Sequence, residues 1–138
     1  MNKILNITIP GIPVPNNTKI SKYRFYKPKK VNDYKKYIQL EVQQYMRKHA
    51  LKCSQEPIYM ILWIGLPVPT SWSKKRREMA LKGEIKHKTK PDGENFAILI
   101  KNALQNIVYK NDSQICVYYE KKFYVEHPYV KITIKEVK

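Results

Sequence analysis

The chain has 138 residues, 43% of them hydrophobic and only four glycine, enough for one domain with a real core and unlike a disordered or low-complexity chain. Its 27 lysines and arginines against 11 aspartates and glutamates leave a formal net charge of +16, which points to a polyanionic partner: DNA or RNA first, an anionic membrane surface second. The longest apolar run, residues 58–66, is about half of what a spanning helix needs, and residues 1–10 are too short and interrupted for a signal peptide. Cys53 and Cys116 have neither the spacing of a metal site nor the number of a disulfide framework, so the expectation is a cytoplasmic protein with reduced thiols, nucleoid-associated when bound to DNA.

In chain order, Ile7 and Ile9 alternate with Asn6 and Thr8 and predict a first strand ended by Pro10. Residues 10–30 hold Pro10, Pro13, Pro15 and Pro28 and read as an extended loop or ribbon. From Asn32 to about Leu51, Tyr34, Tyr37, Ile38, Val42, Tyr45 and Met46 recur at helical spacing. Residues 58–66 predict a central strand closed by Pro67 and Pro69, with Trp63 read as core; Ser71 or Ser73 then caps a short basic helix ending near Gly83. A second amphipathic helix runs from Asn95 to Ile107 through Phe96, Leu99, Ile100, Ala103 and Leu104. Residues 115–124 and 129–134 predict two strands, with Cys116 and the Tyr118-Tyr119 pair as packing residues. The expectation is an α+β fold, one domain over residues 1–138, with a mixed sheet and two main helices packed on it.

Two constellations stand out. One is cationic: Lys74, Lys75, Arg76, Arg77, Lys82, Lys86, Lys88 and Lys90 lead up to Asp92, and Lys27, Lys29, Lys30, Lys35 and Lys36 surround Tyr23, Tyr26 and Tyr34. Such runs are either solvated faces or phosphate-contacting surfaces, and the net charge favours phosphate; aromatic rings among them suit base stacking, although Tyr34 lies on the apolar stripe. The other is acidic. In a chain with three aspartates (Asp33, Asp92 and Asp112), Asp92-Gly93-Glu94 precedes a helix, and two carboxylates two apart in an extended segment point to one side and can share a divalent ion. The alternative is a helix cap, which needs only one carboxylate. Asp112 follows the same helix and meets Asp92 only if the next strand returns it. His49, His87 and His127 are dispersed.

Lys90-Pro91-Asp92-Gly93-Glu94-Asn95-Phe96, then Asn102-Ala103-Leu104, then Tyr109-Lys110-Asn111-Asp112-Ser113-Gln114-Ile115 resembles the signature of the RusA family of Holliday junction resolvases, roughly K-P-D-x-D-N-L, D-A-L and D-D-x-Q-V. Pro13-Val14-Pro15, Tyr26-Lys27-Pro28-Lys29-Lys30, Pro67-Val68-Pro69 and Ser71-Trp72-Ser73-Lys74-Lys75-Arg76-Arg77-Glu78 extend the resemblance to members from Gram-positive bacteria and their phages. It implies a small homodimeric endonuclease, often prophage-encoded, that uses Mg²⁺ (or Mn²⁺) to cut four-way DNA junctions symmetrically, with no membrane partner. The family's metal-binding aspartates map onto Asp92, Glu94 and Asp112. Its catalytic lysine falls on Ile98, the nearest helix lysine being Lys101, and its later helix aspartate is Asn102. The leading expectation is therefore a junction endonuclease with Asp92, Glu94 and Asp112 on the metal, Lys101 beside them, and Lys27, Lys29, Lys30, Lys74, Lys75, Arg76, Arg77, Lys86, Lys88 and Lys90 on DNA. The alternatives are a junction-binding protein with weak or no cleavage because of Ile98, and an RNA-binding protein whose carboxylates are caps.

Overall fold

Runs of β-branched and aromatic residues build the sheet on which everything else rests. In the computed structural model, which describes residues 2–16, 19–20, 25–26 and 29–137, β1 (Asn2–Pro10), β4 (Ile58–Pro67), β5 (Ile115–Val125) and β6 (Tyr129–Glu136) form one sheet in the order β1-β6-β4-β5. A separate two-stranded ribbon, β2 (Lys19–Ile20) with β3 (Phe25–Tyr26), lies in the proline-rich segment. β6 pairs antiparallel with β1 and β4, whereas β4 and β5 run parallel, Trp63 opposite Lys121. Parallel neighbours need a crossover connection. Here it spans residues 68–114 and contains α2 (Lys74–Leu81) and α3 (Gly93–Leu104); α1 (Lys29–Lys48) joins β3 to β4.

The core lies between one sheet face and the two longer helices. Ile58, Met60, Leu62 and Ile64 of β4 and Val130, Ile132 and Ile134 of β6 are fully buried. They meet Val31, Tyr34, Ile38, Val42 and Met46 of α1 and Phe96, Leu99, Ile100 and Leu104 of α3. Each such aliphatic side chain contributes about 1.5–3 kcal/mol by leaving water. Tyr34 is core, as its place on the stripe predicts, and its buried hydroxyl has no hydrogen-bond partner among the described residues.

Period two decides the other face. Trp63, expected in the core, alternates with Leu62 and Ile64 and points the opposite way, 42% exposed; Tyr119 is 59% exposed and Cys116 is also exposed. Helix ends are set by local chemistry. Ser73, not Ser71, caps α2 by accepting the Arg76 amide at 3.2 Å. Gly83, at φ +81°, closes α2: its amide donates to the Ala80 carbonyl and that of Glu84 to the Met79 carbonyl, both at 3.0 Å. α3 begins two residues before the expected Asn95 and stops at Leu104, because the chain turns at Asn106, φ +67°. Among the described residues no helix is long and apolar enough to cross a membrane.

Replacing Leu62 by Ala should lower unfolding stability by about 2–5 kcal/mol in urea titrations, the cost of an unfilled core position. Trp63→Ala, on the outer face, should cost less than half as much; a larger cost at Trp63 than at Leu62 would mean that the two faces are assigned the wrong way round.

Candidate active site and nucleic-acid interface

Asp92 sits at the N-cap of α3 with extended backbone (φ −64°, ψ 146°), yet its side chain makes no cap hydrogen bond. The carboxylate is exposed and not spent on ending the helix, unlike the Ser73 hydroxyl on α2. Glu94, also exposed, lies in the first turn. Gly93 is already helical, so the fully extended Asp-Gly-Glu segment that would turn both carboxylates to one side does not form. Both carboxylates remain where the helix dipole favours negative charge.

What β5 brings to this helix end was not visible in the motif. Pairing with β4 puts Tyr118, Glu120, Lys122 and Tyr124 on the helix side of the sheet. The Glu120 carboxylate lies directly against Gly93: a Cβ added there would collide with its Oε2 and stand 3.0 Å from its Cδ. Glu120 Oε1 accepts a hydrogen bond from the Tyr118 hydroxyl at 3.2 Å. Burial and then the charge of Glu120 push the Tyr118 pKa up, so the phenol stays a donor. Lys122 Nζ donates to the carbonyls of Thr89 at 2.7 Å and Pro91 at 3.1 Å, fixing an ammonium within one residue of Asp92. Sequence reasoning missed Glu120 and Lys122. The available signal was a charged pair at alternate positions on the strand face that the helices cover.

The turn after α3 is held by almost every polar residue of its motif. The Tyr109 hydroxyl donates to the Lys101 carbonyl at 2.7 Å, satisfying an acceptor in the last turn of α3. Asn111 caps a 3₁₀ turn (Asp112–Gln114), and Gln114 Nε2 donates to the carbonyls of Ser54 and Glu56. Asp112 is exposed, its amide donating to Gln105 Oε1 at 3.3 Å, which places it at the C-terminal end of α3. A 12-residue helix is about 18 Å long, so one protomer does not gather Asp92, Glu94 and Asp112 together. β5 does double back along α3, but the carboxylate it delivers is Glu120. Lys101 projects its ammonium over the Tyr118 ring, 3.9 Å from the centroid. Ile98, at the family lysine's position, is 37% exposed.

Of the expected DNA-contacting residues, Lys27 lies outside the described residues. Lys29 and Lys30 are exposed at the start of α1, as are Lys74, Lys75 and Arg76 on α2 and Lys86, Lys88 and Lys90 after it; Arg77 is half-buried. The Arg76 guanidinium stacks over Trp72 at 3.8 Å, and Trp72 packs on Tyr124, docking α2 on the end of β5.

Among the described residues no three His, Cys, Asp or Glu side chains converge on one metal position. The donors at the start of α3 are carboxylates alone, and a depression of about 320 Å³ lined by Lys90, Pro91, Asp92 and Asn95 adjoins them. Such a set fits a hard divalent ion, which takes one or two carboxylates and keeps several waters, and does not suit a thiolate- or imidazole-seeking metal.

Carboxylates at the helix start thus stand beside Lys90 and Lys122 on a mixed α+β scaffold. The family model of endodeoxyribonuclease RusA matches residues 10–135, nearly the whole chain. The chain is also similar to "Uncharacterized protein YqaN" of Bacillus subtilis (strain 168), 32% identical over 140 residues and covering 96% of each sequence. The chain belongs to the RusA family, whose members are endonucleases acting on Holliday junctions.

The Gly93–Glu120 contact is open to a double-mutant cycle. Gly93→Ala should destabilise by about 1–3 kcal/mol through overpacking, and adding Glu120→Ala should recover a large part of that loss. Strict additivity in thermal or urea unfolding would mean that the two residues do not touch.

Proposed function

We propose that this protein is a metal-dependent endodeoxyribonuclease that resolves four-way DNA junctions as a homodimer in the cytoplasm. The observation that carries the reading is Asp92: a carboxylate at a helix start that does no capping, set in the family's Lys-Pro-Asp segment beside Glu120 and a fixed ammonium. Asp92 and Glu120 would hold Mg²⁺ or Mn²⁺, with waters completing its shell. A bound ion of this kind neutralises phosphate charge and acidifies a water for attack on phosphorus.

The remaining work falls to the chain's own residues. Lysines 74, 75, 86, 88 and 90 and Arg76 draw the phosphate backbone toward the start of α3. Lys122, held by two carbonyls, keeps positive charge beside Asp92 without needing to reorganise, which compensates for Ile98 where the family has lysine. Lys101 stays over Tyr118 and supports the Tyr118–Glu120 pair. Two active sites related by a two-fold axis suit a junction cut in two strands. Since Asp112 lies at the far end of α3 within one protomer, it would join the site only across the dimer.

The test is a labelled four-way junction incubated with and without Mg²⁺ or Mn²⁺. Paired, metal-dependent nicks should be abolished by Asp92→Asn, and Lys122→Met should slow them by about tenfold or more, equivalent to about 1.4 kcal/mol of barrier. Tight junction binding without nicks would leave a binding protein, and equal affinity for junction, duplex and RNA would defeat the junction reading altogether. A second experiment places Asp112. Mixing inactive Asp92→Asn and Asp112→Asn chains should restore nicking of one strand if the site is shared between protomers, whereas a mixed dimer that stays inactive would exclude the sharing.

A further inference from the structure

The crossover walls off a second space beside the acidic helix end. This cleft of about 540 Å³ lies between the turn at residues 67–70 and the segment at residues 87–91. Leu66, Val68, Phe96 and Tyr124 give it apolar walls, and Lys90 and Pro91 separate it from the depression that contains Asp92. We propose that this cleft receives one unstacked nucleobase of the bound DNA, next to the phosphate at the candidate active site. The inference rests on the nuclease reading and deepens it by naming where a base is read.

Size, charge and position favour this occupant. The volume lies within the roughly 300–1,000 Å³ of small-molecule sites, ample for a nucleoside. Apolar walls accept the π-face of any base, and extrusion is least costly where bases have already lost stacking neighbours, as at a branch point. Positive charge lies beside it: Lys90 lines the cleft and Lys88 is exposed on the same segment, so the phosphates flanking an inserted base meet cations. Lys122 braces that segment from behind, through the carbonyls of Thr89 and Pro91, two residues that line the cleft. His87 also lines the cleft.

The experiment uses full-length protein and a four-way junction carrying 2-aminopurine at each central position in turn, without divalent metal so that no strand is cut. Binding is followed by anisotropy of a distant label and base environment by 2-aminopurine emission. At one central position emission should change by about threefold or more on saturation, as expected for a base leaving the stack. Thr70→Trp and Ile12→Asp alter exposed side chains in the cleft lining, the first filling the space and the second making its mouth acidic. Each should abolish that emission change while junction affinity falls by less than about tenfold, because phosphate contacts dominate binding. Binding with unchanged emission at every central position overturns the inference and leaves the nuclease reading standing. So does an emission change that both variants retain. Emission that never changes, with a Thr70→Trp-dependent shift in sedimentation of the DNA-free protein, would assign the cleft to protein association instead. No junction binding at all would overturn both readings.

Discussion

The start of α3 reaches β5 through a residue that has no side chain. Because Gly93 leaves its Cβ position empty, the carboxylate of Glu120 packs against the helix backbone, and Lys122, two residues along the same strand, reaches past it to the carbonyls of Thr89 and Pro91. One strand thus delivers a negative and a positive group to the same helix end. Their opposite tasks, carboxylate against helix and ammonium against loop, determine where Asp92 stands. The glycine of the Asp-Gly-Glu motif is consequently a packing requirement as much as a spacer between acids.

The charge of the chain takes on structure in this light. Most cations are exposed and interchangeable in their effect on a polyanion, raising affinity without saying where the chain binds it. A few are not interchangeable: Arg76 stacked on Trp72, Lys101 over Tyr118 and Lys122 between two carbonyls each hold a definite position. Those three mark the path from α2 along β5 to the candidate site, whereas the net charge marks only the class of partner.

Much of the scaffold was legible beforehand because its signals are periodic. Val31, Tyr34, Ile38, Val42 and Met46 form one helical stripe, and residues 58–66 form a strand flanked on both sides, as their composition requires. Trp63 and Cys116 were misplaced for a single reason: in a strand, adjacent residues face opposite ways, and residue type alone does not say which way is inward. The geometry of the candidate site was legible only in part. The motif singles out Asp92 as a candidate, but the expectation that Asp92 and Glu94 share an extended segment failed because Gly93 starts the helix. Glu120 and Lys122 belong to another strand, and their arrival depends on the parallel β4–β5 register, which no local spacing reveals.

The crossover at residues 68–114 has a consequence for how such a protein diversifies. α2, the basic segment, the cleft walls at residues 67–70 and 87–91, and the start of α3 all lie in or beside one continuous excursion from a sheet whose pairing does not involve them. The excursion is fastened to β5 chiefly at Gly93, Thr89, Pro91 and the Trp72–Tyr124 contact. A relative that keeps those fastenings and the buried face of α3 can exchange the exposed remainder without disturbing a single strand pair. The exposed part of the crossover is thus a replaceable cassette, and its attachments to β5 and to the core define what a compatible cassette must carry.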